Sequence, residues 1–241
     1  MQKKIKENVR LFKNKGDCLK MTQTIKSAIV IGATGLVGKS LVKKLSQLSQ
    51  CEKITAIVRR EDLELKQLAK VEQLVLDDFL LLNDQDVNGF SHAFSCLGST
   101  QKKAGSKEKF YAIDYEINAH FADLFQTTDT QLLLVSAMGA NAKSKIFYNR
   151  VKGELEHYVQ GLDLARISII RPSLLLGERN EQRTLEDLGQ KAFQKLSHFI
   201  PNTFKYKPVT AEQVAHTMVE VAQTQTAQFE IYDNLYIQNA K

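Results

Sequence analysis

Residues 27–38 read Ser-Ala-Ile-Val-Ile-Gly-Ala-Thr-Gly-Leu-Val-Gly, an apolar run broken by three glycines spaced three apart. Leu36, Val37, Leu41, Val42, Leu45 and Leu48 then fall on one helical face. A buried strand, a glycine turn and an amphipathic helix in this order build a cradle for a dinucleotide. Gly32 allows the tight turn off the strand, Gly35 lets the backbone approach a pyrophosphate with no Cβ in the way, and Gly38 lets the helix pack closely on the strand. The unpaired N–H groups and partial positive charge of the helix N-terminus then suit phosphate without any side-chain cation.

Further along, apolar strand patterns recur at Ile54–Val58, Leu74–Leu76, Ala93–Cys96, Leu132–Val135 and Ile167–Ile170, with helical segments between most of them. This alternation predicts an α/β, Rossmann-type doubly wound parallel sheet with helices on both faces and ligands outside the carboxyl ends of the strands. A length of 241 residues and 43% hydrophobic content are enough for one such domain, over 25–241. All three prolines, Pro172, Pro201 and Pro208, fall in the last third, where the pattern is less regular. Leu185, Leu188, Ala192, Leu196 and Phe199 recur at helical spacing there, as either a core-packing helix or a small substrate lid over about 172–208. Val209 to Val221 reads as a further helix, opened by Thr210 as cap with Gln213 three residues on.

The net charge of +6 is concentrated in the first 20 residues, where seven cations face only Glu7 and Asp17 and account for five of the six charges. The rest of the chain is close to neutral, so a nucleic-acid partner is not expected of it. Residues 1–24 read as a poorly ordered basic extension that lacks a secretory h-region and fits a mitochondrial transit peptide poorly; with Met21 just before the domain, an upstream start is the other reading. No apolar stretch approaches the roughly 20 residues of a membrane span. Cys18, Cys51 and Cys96 are odd in number and widely separated, with neither disulfide nor metal spacing, so no metal is expected and a reducing, cytoplasmic setting is. The five histidines share no spacing and read as structural or exposed.

Two constellations carry the chemistry. About twenty residues past the glycines, where a carboxylate would take the ribose 2′-OH of NAD, stand Arg59 and Arg60, followed only then by Glu61 and Asp62. Guanidinium forks suit a 2′-phosphate, so NADP(H) is expected over NAD(H). The second group is Ser136, at the end of the fifth strand, with Tyr148 and Lys152, which share one face of a helix over Phe147–Val159. Transfer of hydride to a carbonyl needs a proton for the developing alkoxide. Tyr148 delivers it if a neighbouring cation favours its phenolate, Lys152 supplies that cation, and the Ser136 hydroxyl donates to the substrate oxygen.

With GATGLVG at 32–38, Arg59-Arg60, Asp78-Phe79, SCLGST at 95–100, VSAMGA at 135–140, YNRVKGELE at 148–156 and RPSLLLGER at 171–179, the chain resembles the atypical short-chain dehydrogenases/reductases over about residues 26–222. The likeness is greatest to the Tat-interacting-protein-like oxidoreductases. That resemblance implies NADP(H) held by Gly32, Thr34, Gly35, Leu36, Val37 and Gly38, with Asp78 and Phe79 toward the adenine. Leu97, Gly98 and Ser99 would run along the ribose and nicotinamide, and Pro172, Ser173 and Leu174 would line the nicotinamide amide. It also implies an asparagine on the fourth helix that organises a proton relay; here Asp114 stands in its place with Asn118 one turn later, and Asp114 reads equally as a relay member or as a helix cap or surface carboxylate. The expected function is NADP(H)-dependent oxidation or reduction of a small carbonyl or alcohol substrate. An NADP(H)-sensing module that binds a protein partner is the alternative, and a sugar-nucleotide epimerase or dehydratase is weakened by the short C-terminal segment.

Overall fold

The computed structural model describes residues 23–176 and 204–240. Seven parallel strands form one sheet in the order β3-β2-β1-β4-β5-β6-β9. They are β1 (Ser27–Ile31), β2 (Lys53–Val58), β3 (Val71–Val75), β4 (His92–Ser95), β5 (Gln131–Val135), β6 (Arg166–Ile170) and β9 (Phe229–Tyr232). A two-stranded parallel ribbon pairs β7 (Leu175–Leu176) with β8 (Val209–Thr210). This is the doubly wound arrangement the sequence predicts.

The central strands are buried on both faces because their side chains alternate between two cores. Ala28 and Val30 of β1 join the core under α1 (Leu36–Gln47), α8 (Ala211–Thr224) and α9 (Asn234–Asn239). Ile29 and Ile31 join the opposite core with Phe121 of α6 (Ile117–Asp123) and Leu155 and Val159 of α7 (Phe147–Gln160). Strand order reverses between β1 and β4, and their register pairs Ile31 with Ser95, so the crevice of the fold opens where these two strands end.

Two strands of the seven-stranded sheet depart from the expectation, and the short β7–β8 ribbon lies where no strand is expected. β3 spans Val71–Val75 rather than Leu74–Leu76, because Glu72 and Gln73 interrupt the apolar signal on an edge strand that is only partly buried. β9 is the other edge, pairs with β6, and is too short and polar, as Phe-Glu-Ile-Tyr, to stand out. The helix after β8 is opened as predicted, with the Thr210 hydroxyl and the Gln213 side chain capping each other's backbone N–H groups. The basic extension 1–20 and the helical pattern Leu185 to Phe199 lie outside the described residues.

Candidate active site at the carboxyl edge of the sheet

The glycine turn is shaped by close backbone approach. Gly32 has φ +76°, and a Cβ there would stand 2.5 Å from the backbone of Cys96 and Leu97, so the turn after β1 lies directly against the exit of β4. A Cβ at Gly38 would meet the Gly32 carbonyl oxygen at 2.2 Å, which fixes how closely α1 sits on the turn. Gly35 occupies the N-cap of α1 without a side-chain cap, and no acidic residue sits in the first turn. The helix therefore presents its N-terminal N–H groups where a phosphate would be held, and a dinucleotide pyrophosphate fits the cradle.

Arg59 and Arg60 are exposed at the exit of β2. Asp62 has other work: it accepts the Glu64 and Leu65 N–H groups as cap of α2 (Leu63–Lys66) and pairs with Lys39 of α1 at 3.0 Å. Those bonds to Lys39 and the two N–H groups lower its carboxyl pKa against the effect of burial. At the end of β3, Asp78 is exposed and accepts the Leu80 N–H at 2.9 Å, whereas the Phe79 ring is buried in the core. Phe79 thus packs the domain with its side chain.

Ser136 follows β5, its N–H donating to the Ile170 carbonyl at 2.8 Å. Its side chain is buried, and Oγ has no hydrogen-bond partner among the described residues. Tyr148, Lys152 and Glu156 follow one another at four-residue spacing along α7. The Tyr148 ring packs on Phe110 with centroids 5.6 Å apart. The loop from Ser136 to α7 is clamped to that helix: Asn141 N–H donates to the Asn149 carbonyl at 2.9 Å, and a Cβ at Gly153 would lie 2.2 Å from the Asn141 and Ala142 backbone. Gly153, the residue after Lys152, is a positioning feature that the four-residue spacing of the motif does not reveal.

Lys152 is 4% exposed and pairs with the fully buried Asp114 at 2.7 Å. Burial alone would lower the ammonium pKa; Asp114, then Tyr148 and Glu156, more than offset it, and the net direction is upward. Asp114 itself is pushed up by burial, against the pull of Lys152 and of the Ser99 N–H. The reading of Asp114 as helix cap or surface carboxylate is therefore corrected. Glu156, also buried, receives both arms of the Arg171 guanidinium, with Nε at 3.0 Å from Oε1 and a short contact from the second nitrogen to Oε2. The side chains of Leu97 and Leu174 differ in setting, the first packed against a core and the second 57% exposed. Ser173 is committed to the fold, its N–H donating to Asn234 and its hydroxyl to the Lys207 carbonyl, while the Pro172 carbonyl accepts Met138 N–H.

The chain matches the HIM1 family over residues 45–210. It belongs to the HIM1 family. A relative, "Protein FMP52-1, mitochondrial" of Scheffersomyces stipitis, is 33% identical over 199 residues, which are 82% of this chain and 88% of that protein. Solved structures share the fold at low identity. UDP-glucuronic acid 4-epimerase from Bacillus cereus, in complex with NAD, superposes with TM-score 0.63 and 11% identity over 86% of this chain and 78% of that one. Human epimerase family protein SDR39U1 with NADPH gives TM-score 0.58 and 12% identity over 86% and 74%.

The HIM1 assignment refines the likeness seen in the motifs: the fold is that of the short-chain dehydrogenase/reductase and epimerase structures, and the family is HIM1 with its FMP52 relatives rather than the Tat-interacting-protein-like group. It also corrects the expected cytoplasmic location. The FMP52 relatives are named mitochondrial. Cysteine number and spacing report the redox poise a chain tolerates and carry no cellular address.

Proposed function

We propose that this HIM1-family chain is an NADP(H)-dependent oxidoreductase that reduces a small carbonyl compound or oxidises the corresponding alcohol. Its setting on this reading is mitochondrial, as the names of its FMP52 relatives say of them. When bound, the nicotinamide supplies or accepts the hydride. Tyr148 gives the proton to the developing alkoxide, or takes it in the reverse direction. Lys152 stays an ammonium and favours the phenolate form of Tyr148. Ser136 donates a hydrogen bond to the substrate oxygen and so orients it for the Tyr148 proton.

The observation that carries the reading is the Ser136 hydroxyl: buried at the end of β5, with no protein partner among the described residues, at the start of the loop that Asn141 clamps to the helix carrying Tyr148 and Lys152. An unsatisfied buried hydroxyl costs about 1–3 kcal/mol, a cost that a substrate oxygen removes on binding. Preference for NADP(H) is supported at the exit of β2. There the carboxylate of Asp62 is engaged by Lys39 and two backbone N–H groups, while Arg59 and Arg60 are exposed.

The test is a carbonyl screen followed by NADPH absorbance, with wild type and Tyr148→Phe compared on the best substrate. The variant keeps the ring and its packing, so turnover is expected to fall about 10²–10⁴-fold with NADPH affinity nearly unchanged. Wild-type turnover in Tyr148→Phe removes Tyr148 from the chemistry. Tight NADPH binding with no turnover across the panel, and a protein partner captured only when NADPH is present, would replace the enzyme by an NADP(H) sensor.

A further inference from the structure

Between α5 (Lys107–Tyr111) and α6, residues Ala112–Glu116 wind as a π-helical turn. Such turns widen the helix locally and re-aim the side chains they carry. Here the turn and its continuation bury two polar residues four apart, Asp114 and Asn118, and both grip the loop leaving β4. Asn118 accepts a short hydrogen bond from the Ser95 hydroxyl and donates to the Ile113 carbonyl at 2.9 Å. Asp114 accepts the Ser99 N–H on Oδ2 at 2.8 Å and holds Lys152 Nζ on Oδ1 at 2.7 Å. The Gly98 backbone lies against the pair, since a Cβ there would stand 3.2 Å from Asp114 Oδ1 and 3.3 Å from Lys152 Nζ.

We infer that Asp114 is a positioning residue: one buried carboxylate joins the Lys152 ammonium of α7 to the Ser99 amide of the β4 loop, so that cation and loop are presented to Tyr148 and the dinucleotide cradle as a single unit. The proposal rests on the functional reading above only for what the unit serves. A carboxylate is the group that does this. It offers two acceptors, one per donor, and its charge compensates a cation that burial would otherwise strip of its proton; an asparagine in its place offers one acceptor and no charge. The charged and titratable groups felt by Lys152 are Asp114, Tyr148 and Glu156, and Glu156 is already held by Arg171, so Asp114 is the counter-ion in direct contact. Three ammonium protons leave Lys152 free to contact a ribose while Asp114 holds it.

The test is read by NMR on the full chain without cofactor or substrate. In wild type, the Ser99 amide shift follows the ionisation of Asp114 through their hydrogen bond. Removing the ammonium with Lys152→Met is expected to raise the midpoint of that titration by about one pH unit or more, since an opposite charge at contact distance lowers a carboxyl pKa by about that much. In ¹³C-lysine-labelled protein, the Lys152 Cε titration is expected to move to lower pH in Asp114→Asn and to return toward wild type in Asp114→Glu. NADPH titration should show binding weakened about tenfold in Asp114→Asn and largely restored in Asp114→Glu. A Ser99 midpoint unmoved by Lys152→Met overturns the proposal, and so does a Lys152 titration unchanged in a folded Asp114→Asn. If Asp114→Asn does not fold, the Ser99 titration in wild type and Lys152→Met decides alone. A chain in which these titrations are coupled but NADPH does not bind keeps the Asp114 unit and overturns the oxidoreductase reading instead.

Discussion

On the proposed reading, selectivity for the cofactor rests on single residues at the exit of β2. Where a carboxylate would serve a ribose hydroxyl, Asp62 is spent on α2 and on Lys39, and the guanidinium groups of Arg59 and Arg60 stand exposed. A charge-assisted hydrogen bond contributes roughly 1.5–3 kcal/mol, so replacing both arginines by alanine should weaken NADPH binding about tenfold or more and leave NADH binding where it was. Calorimetry with both cofactors checks this, and equal losses would show that the arginines do not read the 2′-phosphate. The exposed place of these two arginines at the strand end is legible in sequence because the position follows from the distance to the glycines. The role of Asp114 is not. Its partner lies 38 positions away on another helix, the Ser99 amide that completes its bonds is on a loop, and a π-helical turn breaks the 3.6-residue phase by which burial is read.

At the scale of elements, α7 was the most legible piece. Its expected bounds of Phe147–Val159 agree with Phe147–Gln160, because Val151, Leu155 and Val159 mark the buried face beside the Tyr148 and Lys152 positions. What periodicity does not contain is how the helix is docked. That is set by Gly153, where the loop from Ser136 crosses so closely that a Cβ would lie 2.2 Å from backbone atoms of Asn141 and Ala142. Neither atom is the end of a flexible side chain, so Gly153→Ala must push the loop and the helix apart. Overpacking of this sort costs about 1–3 kcal/mol. Thermal unfolding should show that loss, and turnover should fall as well, because the displaced loop carries Ser136 away from the helix of Tyr148. A variant that is destabilised yet turns over normally would mean that the relation of Ser136 to Tyr148 does not depend on this crossing. The edge strands were hidden for a different reason: β3 and β9 each have one neighbour and carry Glu72, Gln73 and Glu230, so burial does not impose an apolar run on them.

At the scale of the whole molecule, the sheet is tied to the helix layer of α8 at the strand ends opposite the site. His92, the first residue of β4, is 3% exposed; its ring nitrogens contact the Ser91 hydroxyl at 2.9 Å and the Ala222 carbonyl of α8 at 3.2 Å. Burial pushes its pKa from 6.5 down to about 4, with the Arg166 guanidinium acting in the same direction and the Ala222 carbonyl opposing. The folded chain therefore keeps this imidazole neutral where the unfolded chain has begun to protonate it. Above pH 6.5 both states are neutral and His92 contributes no slope; between 6.5 and about 4 the unfolded state binds the extra proton, so stability falls as pH falls. One proton gives a slope of about 1.4 kcal/mol per pH unit within that window, and below it both states are charged and the slope from this group vanishes. Denaturant unfolding across this range should show that decline in wild type. His92→Phe retains a ring against Phe94, whose centroid lies 6.1 Å from that of His92. The variant loses the contact to Ala222, so it should be less stable at pH 7 but with a flatter profile from 6.5 to 4. Parallel profiles for the two proteins would move the acid sensitivity of the fold to groups other than His92.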